Sequence, residues 1–235
     1  MGCEGTAVPF FEVTIPAELS FLDGLAVAYS MIPWLMALFL FFMTLWKRTI
    51  VGLAACTYGL ILIVLNEGVI KQIISEARPR GSCLTTKGMP SSHSLLSIGY
   101  TIWIFLTAYF HSKHHPFIRY MSVILAIAFL VPVPSSRVRL KDHSQSQIAV
   151  GSIVGVVVGA LYFTFLHFVG ARYFDKIAQH KFAVKIGITN DYGYKSEKHH
   201  LDIIALQKKD GRSNSISQTH MEIPLDEDGM QPAEE

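Results

Sequence analysis

At 235 residues, 51% hydrophobic and only 16% charged, with a mean hydropathy of +0.37, the chain is too apolar for a water-soluble domain and reads as a membrane protein. Its formal net charge of +2 excludes nucleic acid as a partner, because a nucleic-acid binder needs a basic face and these cations are scattered.

The first 25 residues contain "VPFFEVTIPAELSFLDG", a mixture of aromatics, prolines and acids that suits an interfacial segment leading into a bilayer. The opening "MGCEGT" fits the myristoylation pattern with Cys3 as a palmitate acceptor, but acylation there requires a cytosolic start, which the charge distribution opposes. Five apolar runs follow, roughly 26–46, 50–70, 94–110, 118–134 and 147–169, each close to the ~20 residues that cross a hydrocarbon core. The first is not a cleaved signal, since it lacks a basic leader and ends in "WKR". The expected fold is therefore all-α: a polytopic helical bundle with about five transmembrane helices over 26–170, preceded by the interfacial segment 1–25. Residues 171–235, ending in "IPLDEDGMQPAEE", read as a polar, largely disordered tail.

Charge orients the spans. The N-terminal flank carries acids and no Lys or Arg, whereas Lys47, Arg48, Lys113, Arg119, Arg172 and Lys176 cluster at alternate ends, which the positive-inside rule assigns to the cytosol together with the tail. The connections near 71–93 and 135–146 then face a lumen or exterior. They are basic as well, and cations held at span ends on the wrong side of the rule point to a functional site.

Three blocks lie there: "KQIISEARP" (71–79), "PSSH" (90–93) and "SRVRLKDH" (136–143). Counting crossings brings all three to one face. A phosphoryl group needs cations to neutralise its oxygens, along with hydroxyl and helix N-terminal donors. Lys71 and Arg78, about two helical turns apart, supply cations from one face of a helix that Pro79 ends; Ser91, Ser92 and His93 sit at a helix start; Arg137 and His143 precede the fifth span, with Gln147 four residues on. Two histidines suffice for phosphate cleavage, one attacking phosphorus and the other protonating the departing oxygen, so no metal or cofactor is expected.

The blocks Lys71-x6-Arg78-Pro79, Pro90-Ser-Ser-His93 and Ser136-Arg137-x5-His143 resemble the three signature motifs of the type 2 phosphatidic acid phosphatase superfamily. "GMPSSHS", "LAVAYSMIP", "WKR" and Gln147 are most similar to its dolichyl-diphosphatase branch, over about residues 20–170. The resemblance implies a hydrolase acting on the phosphoric anhydride of dolichyl diphosphate, in the endoplasmic reticulum membrane with its site toward the lumen, recycling the lipid carrier of N-glycosylation. It implies His143 as the nucleophile of a phosphohistidine intermediate, His93 as the acid, and Lys71, Arg78, Ser92 and Arg137 as phosphate ligands. Ser91 and Gln147 support them. Most relatives carry Asp where this chain has Gln147, and an amide orients an imidazole without matching its charge. "RVRLKD" also departs from the branch, and places Arg139 and Lys141 toward a second phosphate. The substrate and the membrane are the partners implied, and no protein partner is.

Each feature taken alone has a plainer reading: Lys71 with Glu67 as a helix ion pair, "PSSH" as capping, Arg137 and Arg139 as headgroup anchors, and His111, His114 and His115 as a headgroup-level loop. Asn66 and Glu67 read as interhelical hydrogen-bonders, and Gly151, Gly155 and Gly159 as an internal packing stripe. Three cysteines supply no framework, Cys56 lying within a span, and a Cys3–Cys83 bridge on the outer face is not expected. Competing functions are the same chemistry on phosphatidate or a sphingoid phosphate, and a catalytically silent membrane scaffold.

Overall fold

The structure, a computed structural model, describes residues 3–110 and 115–192; His111, His114 and the chain from 193 onward lie outside it. The N-terminal segment forms an antiparallel hairpin, β1 (Gly5–Val8) and β2 (Val13–Pro16), paired from Gly5↔Pro16 to Val8↔Val13. Pro9–Phe11 make a single 3-10 turn between the strands, and Glu12 closes it with a left-handed backbone, φ 52°. The hairpin is tied down at two points. Thr14 N donates to Asp142 Oδ2 at 3.1 Å, and Cys3 is disulfide-bonded to Cys83 with a Cα–Cα distance of 5.1 Å, against the expectation of unpaired cysteines.

Five helices long and apolar enough to cross a membrane follow, as the hydropathy pattern requires: α1 (Phe21–Lys47), α2 (Ile50–Ile74), α3 (Ser92–Phe110), α4 (Pro116–Arg139) and α5 (Gln145–Gln179). Helix α1 begins before residue 26 because Ser20 and Asp23 form a reciprocal capping box. Helix α2 loosens into a π-helical stretch at Val64–Ile70 before its last turn, and π-bulges recur at functional sites. A turn at Val131 and Pro132 divides α4 into Pro116–Leu130 and Val133–Arg139.

Ordered chain continues past the expected boundary at residue 170. Helix α5 runs to Gln179, α6 (Lys181–Ile186) follows, and Ala171, Phe174, Ala183 and Tyr192 are buried. Phe174 and Tyr192 pack edge-on with ring centroids 4.9 Å apart, and Asp191 Oδ1 accepts from Val51 N at 2.9 Å. A few well-spaced apolar side chains suffice to dock this segment, which averaging over its lysines conceals.

The packing of α3 on α5 positions the site. A Cβ on Gly151, Gly155 or Gly159 would lie 2.7, 2.6 or 2.8 Å from the carbonyl oxygens of Ser91, Leu95 and Gly99 respectively, so only glycine allows the two backbones to approach this closely. The stripe is internal, as expected. It aligns the first turn of α3, bearing His93, with the first turn of α5, bearing Gln147. Toward the middle of the bundle Tyr58, Tyr100, Trp103 and Tyr162 make an aromatic core, with Tyr58 stacked on Tyr162 at 4.7 Å and the Tyr100 hydroxyl donating to Ala55 O at 2.7 Å.

Candidate active site

Lys71 lies immediately after the π-helical stretch, 2% exposed, with Nζ 2.8 Å from Glu67 Oε1. The helix does not continue to Arg78 as the spacing suggests. Ser75 takes a left-handed backbone at φ 54° and ends α2, so Arg78 reaches the site from the following loop and not from the Lys71 helix face. There its guanidinium is fully committed. Nε and Nη2 donate to Thr86, Nη1 donates to Asp142 O at 3.2 Å, and Nη1 donates to His143 Nε2 at 3.0 Å.

These contacts set the state of His143. A guanidinium has no acceptor, so His143 Nε2 must present its lone pair to Arg78, and the ring proton sits on Nδ1. Nδ1 in turn donates to Gln147 Oε1 at 3.1 Å. That oxygen is free to accept because Gln147 Nε2 donates to Glu76 Oε1 and Ala77 O, both at 2.8 Å. His143 itself stands just outside α5, whose cap is Ser144. Gln147 completes a capping box with Ser144 and reaches back to the imidazole, so one side chain ends the helix and orients the ring. Burial, reinforced by the Arg78 and Arg137 cations, pushes the imidazole pKa down from its usual range to about 2, while the Gln147 hydrogen bond opposes the shift. The ring is a neutral imidazole whose Nε2 lone pair is held by Arg78.

Arg137, on the last turns of α4, is 0% exposed and pairs through Nη2 with Asp142 Oδ2 at 2.9 Å. The same Nη2 donates to Glu12 O. Its Nε and Nη1 make no hydrogen bond among the described residues, and neither do the two ring nitrogens of buried His93, which lies within electrostatic reach of Arg137, His143, Arg78 and Lys71. Buried polar groups left without partners call for a functional explanation. Ser91 is buried, its N–H donating to Gln147 O at 3.2 Å, which ties the starts of α3 and α5 together. Ser92 does not face the cations alone; its hydroxyl donates to Glu67 and accepts from Asn66 Nδ2 at 2.9 Å.

Two expected cations lie apart. Arg139 pairs with Asp23 on α1 at 2.9 Å, and Lys141, with φ 58°, packs its stem near Gly81. Sequence reasoning in turn missed the anions. Glu12 Oε1 lies 3.2 Å from Arg78 Nη2 and 3.8 Å from Lys71 Nζ, while buried Asp142 accepts from Thr14 N and from Ser82 Oγ at 3.3 Å. Asp142, next to His143, and Glu76, within 71–79, were legible as members of their blocks. Glu12 carried no local signal.

Helices long and apolar enough to cross a membrane thus bring two histidines, two arginines and a lysine within electrostatic reach of one another. The chain belongs to the PAP2 superfamily, whose family model matches residues 52–170, a stretch that contains all three blocks. It is similar to Dolichyldiphosphatase 1 of Homo sapiens, 36% identical over 132 residues that cover 49% of this chain and 55% of that protein. It is also similar to Dolichyldiphosphatase 1 of Dictyostelium discoideum, 27% identical over 177 residues (72% of this chain, 76% of the relative), and to Dolichyldiphosphatase of Saccharomyces cerevisiae, 31% identical over 168 residues (66% and 69%). The chain spans about half the length of the mammalian relatives it matches, 55% in each case. No solved structure matches it.

Proposed function

We propose that the protein hydrolyses dolichyl diphosphate to dolichyl phosphate and inorganic phosphate. His143 Nε2 attacks the terminal phosphorus as the bond to the bridging oxygen breaks, and His93 delivers a proton to that oxygen. Water then cleaves the phosphohistidine, with His93 accepting the water's proton. Lys71, Arg78 and Arg137 neutralise the phosphoryl oxygens, and Ser92 adds a hydroxyl. The observation that carries this reading is the set of buried groups with capacity to spare: Arg137 Nε and Nη1 and both His93 ring nitrogens make no hydrogen bond among the described residues, and His93 lies within electrostatic reach of Arg137 and His143.

The similarity to dolichyldiphosphatases supports the substrate. So does the position of the site at the end of a bundle, where an isoprenoid stays in the bilayer while its headgroup reaches the boundary. The Cys3–Cys83 bridge lies on the site's side and belongs to an oxidising compartment, which supports a lumenal site in the endoplasmic reticulum membrane, a cytosolic tail, and a role in returning the carrier lipid to N-glycosylation.

Purified protein in detergent, given dolichyl diphosphate or phosphatidate with excess EDTA, tests the proposal. The expected result is phosphate release from the diphosphate, retained with EDTA and lost in His143→Ala. Preference for phosphatidate would move the substrate to another lipid phosphate. Full rescue of a null strain by His143→Ala would leave a scaffold.

A further inference from the structure

The carboxylates around this site are unequally employed. Glu67 pairs with Lys71, Asp142 with Arg137, and Glu12 with Arg78, whereas Glu76 makes no ion pair among the described residues and spends Oε1 on the amide of Gln147, 2.8 Å away. We propose that Glu76 is a positioning residue for the His143 nucleophile, acting through the Gln147 amide. It holds that amide in the one orientation that serves the imidazole, and it relays negative charge toward the ring when the ring becomes cationic. This rests on the phosphatase reading above.

The orientation follows from counting donors and acceptors. As placed, Gln147 Nε2 meets two acceptors, Glu76 Oε1 and Ala77 O, and Oε1 meets two donors, His143 Nδ1–H and Ser144 N. Turning the amide over would set its NH2 against both donors and its carbonyl against a carboxylate and a carbonyl, so every contact would become repulsive. The loop lies against this arrangement from outside. Gly88 N donates to Glu76 O at 2.8 Å, and a Cβ on Gly88 would lie 2.6 Å from Gln147 Nε2, so only glycine lets the loop approach the amide this closely.

The charge argument follows the bonds. When Nε2 bonds to phosphorus and the bridging P–O bond breaks, Nδ1 keeps its proton and the ring becomes an imidazolium. The groups facing it are the cations Arg78, Arg137 and Lys71 together with His93, and the anions Asp142 and Glu12 already balance cations of their own. A Gln carbonyl by itself carries no charge to offset the new one. Hydrogen bonds in series polarise one another, so the Glu76 carboxylate pulling on Nε2–H makes Gln147 Oε1 a stronger acceptor for Nδ1–H. A carboxylate placed directly on Nδ1 would do this more strongly. Here an amide sits between, and Glu76 restores part of the effect.

Charge exchange tests it. Glu76→Gln keeps an acceptor for Gln147 Nε2 and removes the charge, and because Glu76 is exposed the fold is spared. The expected loss is about tenfold in kcat, the rate equivalent of one pKa unit, with KM changed by less than roughly twofold. Gln147→Glu alone sets two carboxylates against each other and is slower than wild type. The double variant Glu76→Gln/Gln147→Glu puts a carboxylate on His143 and an amide beyond it, and is expected to recover kcat beyond either single variant. A purely structural role predicts no such recovery. The proposal is overturned if Glu76→Gln keeps wild-type kcat, or if the double variant is worse than both singles. Should the wild type release no phosphate from dolichyl diphosphate, the functional reading fails by itself, and the amide lock is read from the nitrogen-15 shifts of His143. Those shifts report one Nδ1–H tautomer in wild type and a mixture in Glu76→Ala; an unchanged tautomer overturns the lock.

Discussion

Replacing Glu12 by Gln should tighten the binding of inorganic phosphate. The Glu12 carboxylate lies 3.2 Å from Arg78 and 3.8 Å from Lys71, takes a hydrogen bond from Thr86 Oγ1 at 3.3 Å, and its own peptide oxygen accepts from Arg137. Three cations thus converge on one residue of the hairpin, and on the proposed function an entering phosphoryl group must exchange with its carboxylate. A hydrogen bond to a charged group is worth about 1.5–3 kcal/mol net, and the second contact is longer and partly open to solvent. Part of the first is also retained by an uncharged Gln, which leaves about 1–2 kcal/mol to be relieved, or roughly 5–30-fold in affinity. The hairpin stays in place, since Thr14 and the Cys3–Cys83 bridge hold it independently. The assay is phosphate binding by calorimetry in detergent, together with product inhibition of turnover. An inhibition constant for phosphate that is unchanged or weaker in Glu12→Gln would show that the carboxylate does not compete with the substrate's phosphoryl oxygens.

Other outcomes follow from the same geometry. Gly155→Ala places a Cβ 2.6 Å from Leu95 O and should push α3 from α5, lowering the melting temperature and cutting turnover through loss of register between His93 and His143, whereas Gly68→Ala, with nothing within 4 Å of its added Cβ, should be silent in both assays. Asp142→Asn leaves the Arg137 charge buried without its partner, with an expected cost of about 3–5 kcal/mol in stability, measured by thermal unfolding. His143 has its folded pKa depressed to about 2 by burial and neighbouring cations. As pH falls below the unfolded value of about 6.5, the unfolded chain takes a proton that the folded one refuses, so this group costs stability progressively toward acid. Between about pH 7 and pH 5 the unfolding midpoint of wild type should therefore drop further than that of His143→Asn, and equal slopes would contradict a neutral buried ring.

The five crossings and the convergence of the three blocks were legible because each rests on local pattern: apolar run length, and the alternation of span ends. Helix details were less so. Lys71 and Arg78 share no helix face because Ser75 ends α2, and a serine in a left-handed conformation leaves no mark in spacing. Arg139 reads toward a second phosphate on the strength of its block, yet it pairs with Asp23 on α1, a partner remote in sequence that no local pattern indicates. The tail's docked portion was hidden because two aromatic side chains among lysines decide it.

What stayed hidden at the site itself was the long-range part of its negative charge, for a physical reason. Arg137 at 0% exposure and Lys71 at 2% cannot be held in a low-dielectric bundle without counter-charge, since an unpaired buried ion costs several kcal/mol. Each must find a carboxylate wherever the chain can bring one. The supply comes from Glu67, one turn before its partner, from Asp142, adjacent to His143, and from Glu12, whose peptide oxygen also meets Arg137 across 125 residues of sequence. The first two pairings are local enough to read from their blocks, and the third is not. A phosphate motif rich in buried cations therefore predicts how many carboxylates the site must recruit, but leaves their positions to the tertiary fold. Here the fold uses the hairpin to deliver one of them onto Arg78 and Lys71, the cations assigned to the substrate in the proposed function.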